Sequence, residues 1–166
     1  TRCVAFHSLS KRSNLPGLRS GFVAGDADIL TRYYQYRTYE GCAMPDQVQA
    51  ASIAAWNDEP HVVTNRAAYR EKFEAVTPIL KEAFEVKDPE GGFYHWLPTI
   101  TDDAQFAREL FTDCNISVLP GSFLGRQAAG DNPGAGHVRV AWVAPRDDCV
   151  AAARRMVDWA QTKRRL

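Results

Sequence analysis

Ser8, Ser10, Lys11 and Arg19 gather in the segment His7-Ser8-Leu9-Ser10-Lys11-Arg12-Ser13-Asn14-Leu15-Pro16-Gly17-Leu18-Arg19-Ser20-Gly21-Phe22. Ser8, Ser10 and Arg19, with backbone N–H groups at a strand end, form a donor set suited to a phosphate dianion. Two chemistries are open to Lys11. It can serve as a point-charge phosphate ligand, or as a nucleophile toward a carbonyl if nearby cations or desolvation lower its pKa. The competing reading is a basic, solvated turn after a strand. Arg139 is the other candidate. Its alternation with Val138 and Val140 predicts a strand that sets its guanidinium among small apolar neighbours. An arginine there is ion-paired, grips a planar anion through its two-pronged fork, or lies on a solvated edge.

The elements that must position these residues follow from pattern. The run Cys3-Val4-Ala5-Phe6 reads as a buried strand, and Phe22-Val23-Ala24-Gly25 as a second. Asp26 or Asp28 caps a helix to about Tyr36, and a further helix spans 46–56. Tyr33, Tyr34, Tyr36 and Tyr39 crowd the first of these and are expected to pack against protein. Residues 62–85 carry helical periodicity, interrupted by Pro78, which should kink the axis. An aromatic strand over 93–97, with Phe93 and Trp96 read as core, precedes a helix from Thr101-Asp102-Asp103 to Asp113. A strand at 116–119, a glycine-rich loop over 125–136, a strand through Val138, Val140 and Trp142, and a helix from Arg146 complete an α+β unit.

Composition excludes several classes. With Lys+Arg and Asp+Glu both at 20, the formal charge is zero, and no basic stripe calls for nucleic acid. No apolar run approaches the roughly 20 residues of a membrane span, and no signal-peptide pattern appears. Cys3, Cys42, Cys114 and Cys149 are dispersed without a Cys-x-x-Cys pair and are expected as reduced thiols in the cytoplasm. His7, His61, His95 and His137 lack metal-ligand spacing, so no metal is expected. The loop Gly130-Asp131-Asn132-Pro133-Gly134-Ala135-Gly136 has neither the lysine nor the helix of a nucleotide cradle.

Ser8-Leu9-Ser10-Lys11 followed by Gly17-Leu18-Arg19-Ser20-Gly21 resembles the lysine segment of the fold-type I pyridoxal-phosphate aminotransferases. The segments Asn115-Ile116-Ser117-Val118-Leu119-Pro120-Gly121-Ser122 and His137-Val138-Arg139-Val140-Ala141 resemble the same family's substrate-carboxylate region. The resemblance implies an α/β fold: the end of a large cofactor-binding domain (1–61), then a small α+β domain (62–166) that includes the linking helix. It implies pyridoxal 5'-phosphate as cofactor, Lys11 as the Schiff-base lysine, Ser8, Ser10 and Arg19 on the phosphate, and Arg139 on the substrate α-carboxylate. A small-molecule amino acid and a 2-oxo acid are the implied substrates, and a homodimer the implied assembly. Within the family the chain is most similar to the N-succinyldiaminopimelate aminotransferases, on Val118 to Arg126, Asn132-Pro133-Gly134 and Val138 to Pro145. The chain starts inside an expected strand without Met, so an N-terminal half of the same enzyme is expected as its partner. Alternatives are another class I aminotransferase or lyase, or a non-catalytic module keeping half the fold.

Overall fold

Alternating apolar residues build two antiparallel sheets, one in each of the units into which the chain divides, Thr1–Arg66 and Ala67–Leu166. The computed structural model describes residues 2–128 and 130–164. In the first unit, β1 (Val4–Ser8) pairs with β2 (Gly21–Gly25), Val4 opposite Gly25 and Ser8 opposite Gly21. The expected burial of the first strand is corrected here: Phe6 is 68% exposed. Phe6 meets the Tyr33 ring edge-on and Phe22 the Trp56 ring, so the cover over the two strands is partial. Between them lie the one-turn helix α1 (Leu9–Arg12) and a 3-10 turn at Pro16–Leu18.

Helix α2 (Ala27–Arg37) starts on Asp26, whose carboxylate accepts from the N–H groups of Asp28 and Ile29. Helix α3 (Asp46–Asn57) follows Pro45. Helix α4 (Pro60–Leu80) opens on a proline, tolerated where the N–H is unpaired in any case. It stops before the expected residue 85. Pro78 has no N–H for the ladder, and the chain then tightens, with Glu82 N–H donating to Ile79 O and Ala83 N–H to Leu80 O.

The second unit is built on the sheet β3 (Tyr94–Pro98), β5 (His137–Ala141) and β4 (Leu119–Pro120), in that order and antiparallel throughout. Leu97, Val138 and Val140 leave one face of it to meet Leu80, Phe106 and Met156 in a closed core. Helices α5 (Asp103–Cys114) and α6 (Arg146–Lys163) complete the layer. The strand expected over 116–119 shrinks to two residues. Asn115 takes a left-handed conformation (φ 53°) and Ile116 N–H donates back to Leu110 O, so the start of that run caps α5 instead. Among the described residues, no helix is long and apolar enough to cross a membrane.

Candidate functional site

Ser8 ends β1 and caps α1, its Oγ accepting the Ser10 N–H at 3.1 Å. The next side chain, Leu9, is fully buried. Its N–H donates to Ser20 O, and its carbonyl accepts from the N–H groups of Ser13 and Leu15. One leucine therefore pins the turn both by burial and by backbone bonds. Ser8 Oγ also lies 3.3 Å from Ser20 O and 3.0 Å from Ser10 Oγ. Ser20 is itself buried, its hydroxyl 2.7 Å from that of Ser52 on α3. At Gly21 an added Cβ would overlap the His7 carbonyl, so glycine is what lets β2 close on β1 here.

The result is a closed loop in which Ser8 and Ser10 share hydrogen bonds and Arg19 precedes the residue to which they are tied. Arg19 is left-handed (φ 48°), and its guanidinium donates to Pro16 O at 2.8 Å. Lys11 stands exposed on α1. Residues 1–25 contain Arg2, Lys11, Arg12 and Arg19 and not one Asp or Glu. A loop of hydroxyl, ammonium and guanidinium donors suits a dianion.

Arg12 was not singled out by spacing. Its guanidinium donates to Ala55 O at 2.8 Å and to Glu59 Oε2 at 2.6 Å, and lies 4.8 Å from the Trp56 ring centroid. These partners are 43 and 47 positions away along the chain, and no local pattern announces them.

Arg139 belongs to the second unit. It is the central residue of β5, opposite Trp96 on β3 and Leu119 on β4. Val138 and Val140 turn into the core, so Arg139 emerges on the other face with Trp96 and Tyr94. The expected small apolar neighbours are replaced by aromatic ones: the guanidinium carbon lies 5.7 Å from the Tyr94 ring centroid. Trp96, expected in the core, is 38% exposed and stacks on His137 at 5.6 Å, because the alternation buries its neighbours His95 and Leu97 instead. Among the described residues no carboxylate pairs with Arg139.

The strand is braced from below and beside. Asp103, buried, accepts the Ser122 N–H at 2.7 Å. Burial pushes its carboxyl up, but hydrogen bonds from Ser122, from its own backbone and from the Gly136 backbone together outweigh this and hold it below the usual carboxylate range. Asn132 donates to Ser122 O and accepts from Gly134 N–H. Gly121 and Gly134 pack backbone to backbone, each where a Cβ on the other would overlap. On the core face, His95 Nδ1 accepts from the Trp142 indole N–H at 2.6 Å, and Nε2 faces the Thr77 hydroxyl at 3.0 Å.

Residues 1–155 match the family model for aminotransferase class I and II. A crystal structure of an aminotransferase from Neisseria meningitidis is similar at a TM-score of 0.88 and 55% identity, over 95% of this chain and 40% of that one. The 4-dedimethylamino-4-oxo-anhydrotetracycline transaminase of Streptomyces rimosus is 38% identical over 92% of this chain and 41% of its own length. A structure described as a probable N-succinyldiaminopimelate aminotransferase from Thermus thermophilus is 28% identical, with a TM-score of 0.81, over 95% of this chain and 42% of that one. The chain thus spans about two-fifths of the length of these proteins.

Proposed function

This chain belongs to the class I and II aminotransferases, and from that premise we propose that it carries the lysine and the carboxylate-binding arginine of a pyridoxal-phosphate-dependent transamination. The observation that carries the reading is the closed turn in which Ser8 and Leu9 are tied to Ser20 and Ser10 to Ser8, beside Arg19 and Lys11. Its donors suit the cofactor's phosphate, and the absence of acidic residues from 1–25 fits the same dianion.

When bound, pyridoxal phosphate supplies an electron sink for the electrons of a substrate Cα–H bond. Lys11 Nζ is the amine that would hold the cofactor covalently and give way to the amino group of the substrate. Once released, that same nitrogen would take the proton from the substrate Cα and deliver it to the cofactor's C4′, acting as general base and then general acid. Ser8, Ser10 and Arg19 hold the phosphate end and so fix where Nζ must reach. Arg139 binds the substrate α-carboxylate through two parallel N–H···O bonds and sets the direction of the Cα–H bond.

For the substrate pair we favour N-succinyl-LL-2,6-diaminopimelate with 2-oxoglutarate, a step of lysine biosynthesis. The likeness to the Thermus thermophilus structure supports this. The higher identity to the Streptomyces rimosus transaminase favours a second reading, a class I aminotransferase with a different amino acceptor. A screen of amino donors and oxo acceptors separates the two. The enzyme in this reading also needs the length its relatives have beyond the matched two-fifths, as an N-terminal half, and works as a homodimer in the cytoplasm.

The test is borohydride reduction of the holoenzyme followed by peptide mapping. Reduction should abolish the visible absorbance and leave the cofactor attached to Lys11. An adduct on Lys72, Lys81 or another lysine would refute the assignment.

A further inference from the structure

Lys11 rides on a single helical turn, and one turn has almost no stability of its own, because nucleating a helix fixes several dihedrals for one hydrogen bond. Something outside α1 must hold it. On its N-terminal side the Ser8 cap and buried Leu9 do so. On its C-terminal side the only residue is Arg12, and its side chain is 16% exposed although its neighbour Lys11 is open to solvent.

Besides the adjacent Ser13 hydroxyl at 3.3 Å, three partners distant along the chain hold Arg12. Ala55 lies in the last turn of α3, where carbonyls have no helical partner. The guanidinium both satisfies that carbonyl and sets a cation at the negative end of the helix. It also lies over Trp56 as a planar cation on a ring face. Glu59 adds an ion pair of small weight, since its side chain is 61% exposed. Consecutive helical residues point about 100° apart, so an anchored Arg12 dictates the side from which Lys11 leaves the turn.

We propose that Arg12 is a positioning residue that aims Lys11. The proposal rests on the reading of Lys11 as the cofactor-linked lysine. A lysine at 12 would not replace it, because a point charge cannot face a carbonyl and stack as a plane at once.

The experiment uses the holoenzyme and its cofactor-free form, with Arg12→Gln and Arg12→Lys. A displacement of about 1 Å at a reacting atom costs on the order of 100-fold, so kcat should fall roughly 10- to 100-fold, with the KM for the amino donor within about two-fold. The pH midpoint of the lysine–cofactor absorbance should move. In cofactor-free Arg12→Gln protein, the rate of amine labelling at Lys11, read by mass spectrometry against Lys72 and Lys81 as internal references, should change several-fold. Trp56→Leu, which keeps the guanidinium and its carbonyl bond, should shift the same readouts less and in the same direction.

Parent-like labelling of Lys11 in both Arg12→Gln and Trp56→Leu would overturn the proposal. So would losses in kcat that merely track losses in folded, cofactor-loaded protein. An adduct mapping to a different lysine would defeat the functional reading instead. The labelling rate at Lys11 would still report whether Arg12 orients it.

Discussion

Lowering the pH should destabilise the second unit through His95. The side chain is 1% exposed, and burial pushes its pKa from the ordinary 6.5 down to about 4, against a weaker upward pull from Asp88. Its hydrogen bonds agree with a neutral ring. The Trp142 indole can only donate, so Nδ1 must carry a lone pair and Nε2 the proton, directed at Thr77. The sign follows from proton binding. Between pH 6.5 and 4 the unfolded chain takes up a proton that the folded chain refuses, so stability is present above 6.5 and is lost as pH falls. The gap from 6.5 to about 4, at about 1.4 kcal/mol for each step of one, makes the full loss roughly 3 kcal/mol. Going from pH 7 to 5 alone should cost about 2 kcal/mol. The assay is urea unfolding of the holoenzyme, followed by Trp fluorescence at a series of pH values, for parent and His95→Leu. Other acids contribute to both proteins, so the difference in slope isolates the imidazole. A direct NMR titration of the ring covers the case of a poorly folding variant. Equal slopes in parent and variant, or a ring that titrates near 6.5 in the folded protein, would refute the reasoning.

Two further outcomes are expected. Arg139→Lys should fold normally and retain cofactor, yet lose kcat/KM toward amino acids by an amount on the order of 2–5 kcal/mol, about thirty- to several-thousand-fold. Amines without an α-carboxylate should suffer far less, and equal losses on both would make Arg139 structural. Gly134→Ala should place a methyl against the Gly121 carbonyl, lowering stability by about 1–3 kcal/mol in denaturant titrations. An unchanged midpoint would mean the paired glycines are not a tight contact.

The turn that carries Ser8, Ser10 and Lys11 is legible in the sequence because its arrangement is local: cap, turn and arginine follow one another within a single loop. The limits of α2 and α3 were legible for the same reason, since caps and periodicity are written in neighbouring residues. What stayed hidden depends on partners far along the chain. Arg12 looks like any basic turn residue until α3 brings Ala55 and Trp56 to it. The first strand was read as buried from its apolar content alone, although content does not say whether a second layer exists to cover it. The run at 116–119 has strand-forming residues, yet Ile116 N–H goes to Leu110 O, and a backbone donor engaged in a cap cannot join a ladder.

The faces of the second sheet explain why Arg139 and His95 belong to one account. Register sets His95 opposite Val140 and Trp96 opposite Arg139. A slip of one residue would drive the guanidinium into the core and push Val140 out, exchanging the two faces entirely. Burying that unpaired charge would cost several kcal/mol, which by itself opposes the slip. The Trp142–His95 bond holds the correct register from the core side, while the Gly121–Gly134 contact and the Asp103–Ser122 bond hold it from the loops. Protonating His95 would set two donors face to face and loosen the first of these restraints. The pH at which the core face weakens should therefore also be the pH at which Arg139 loses its fixed place opposite Trp96.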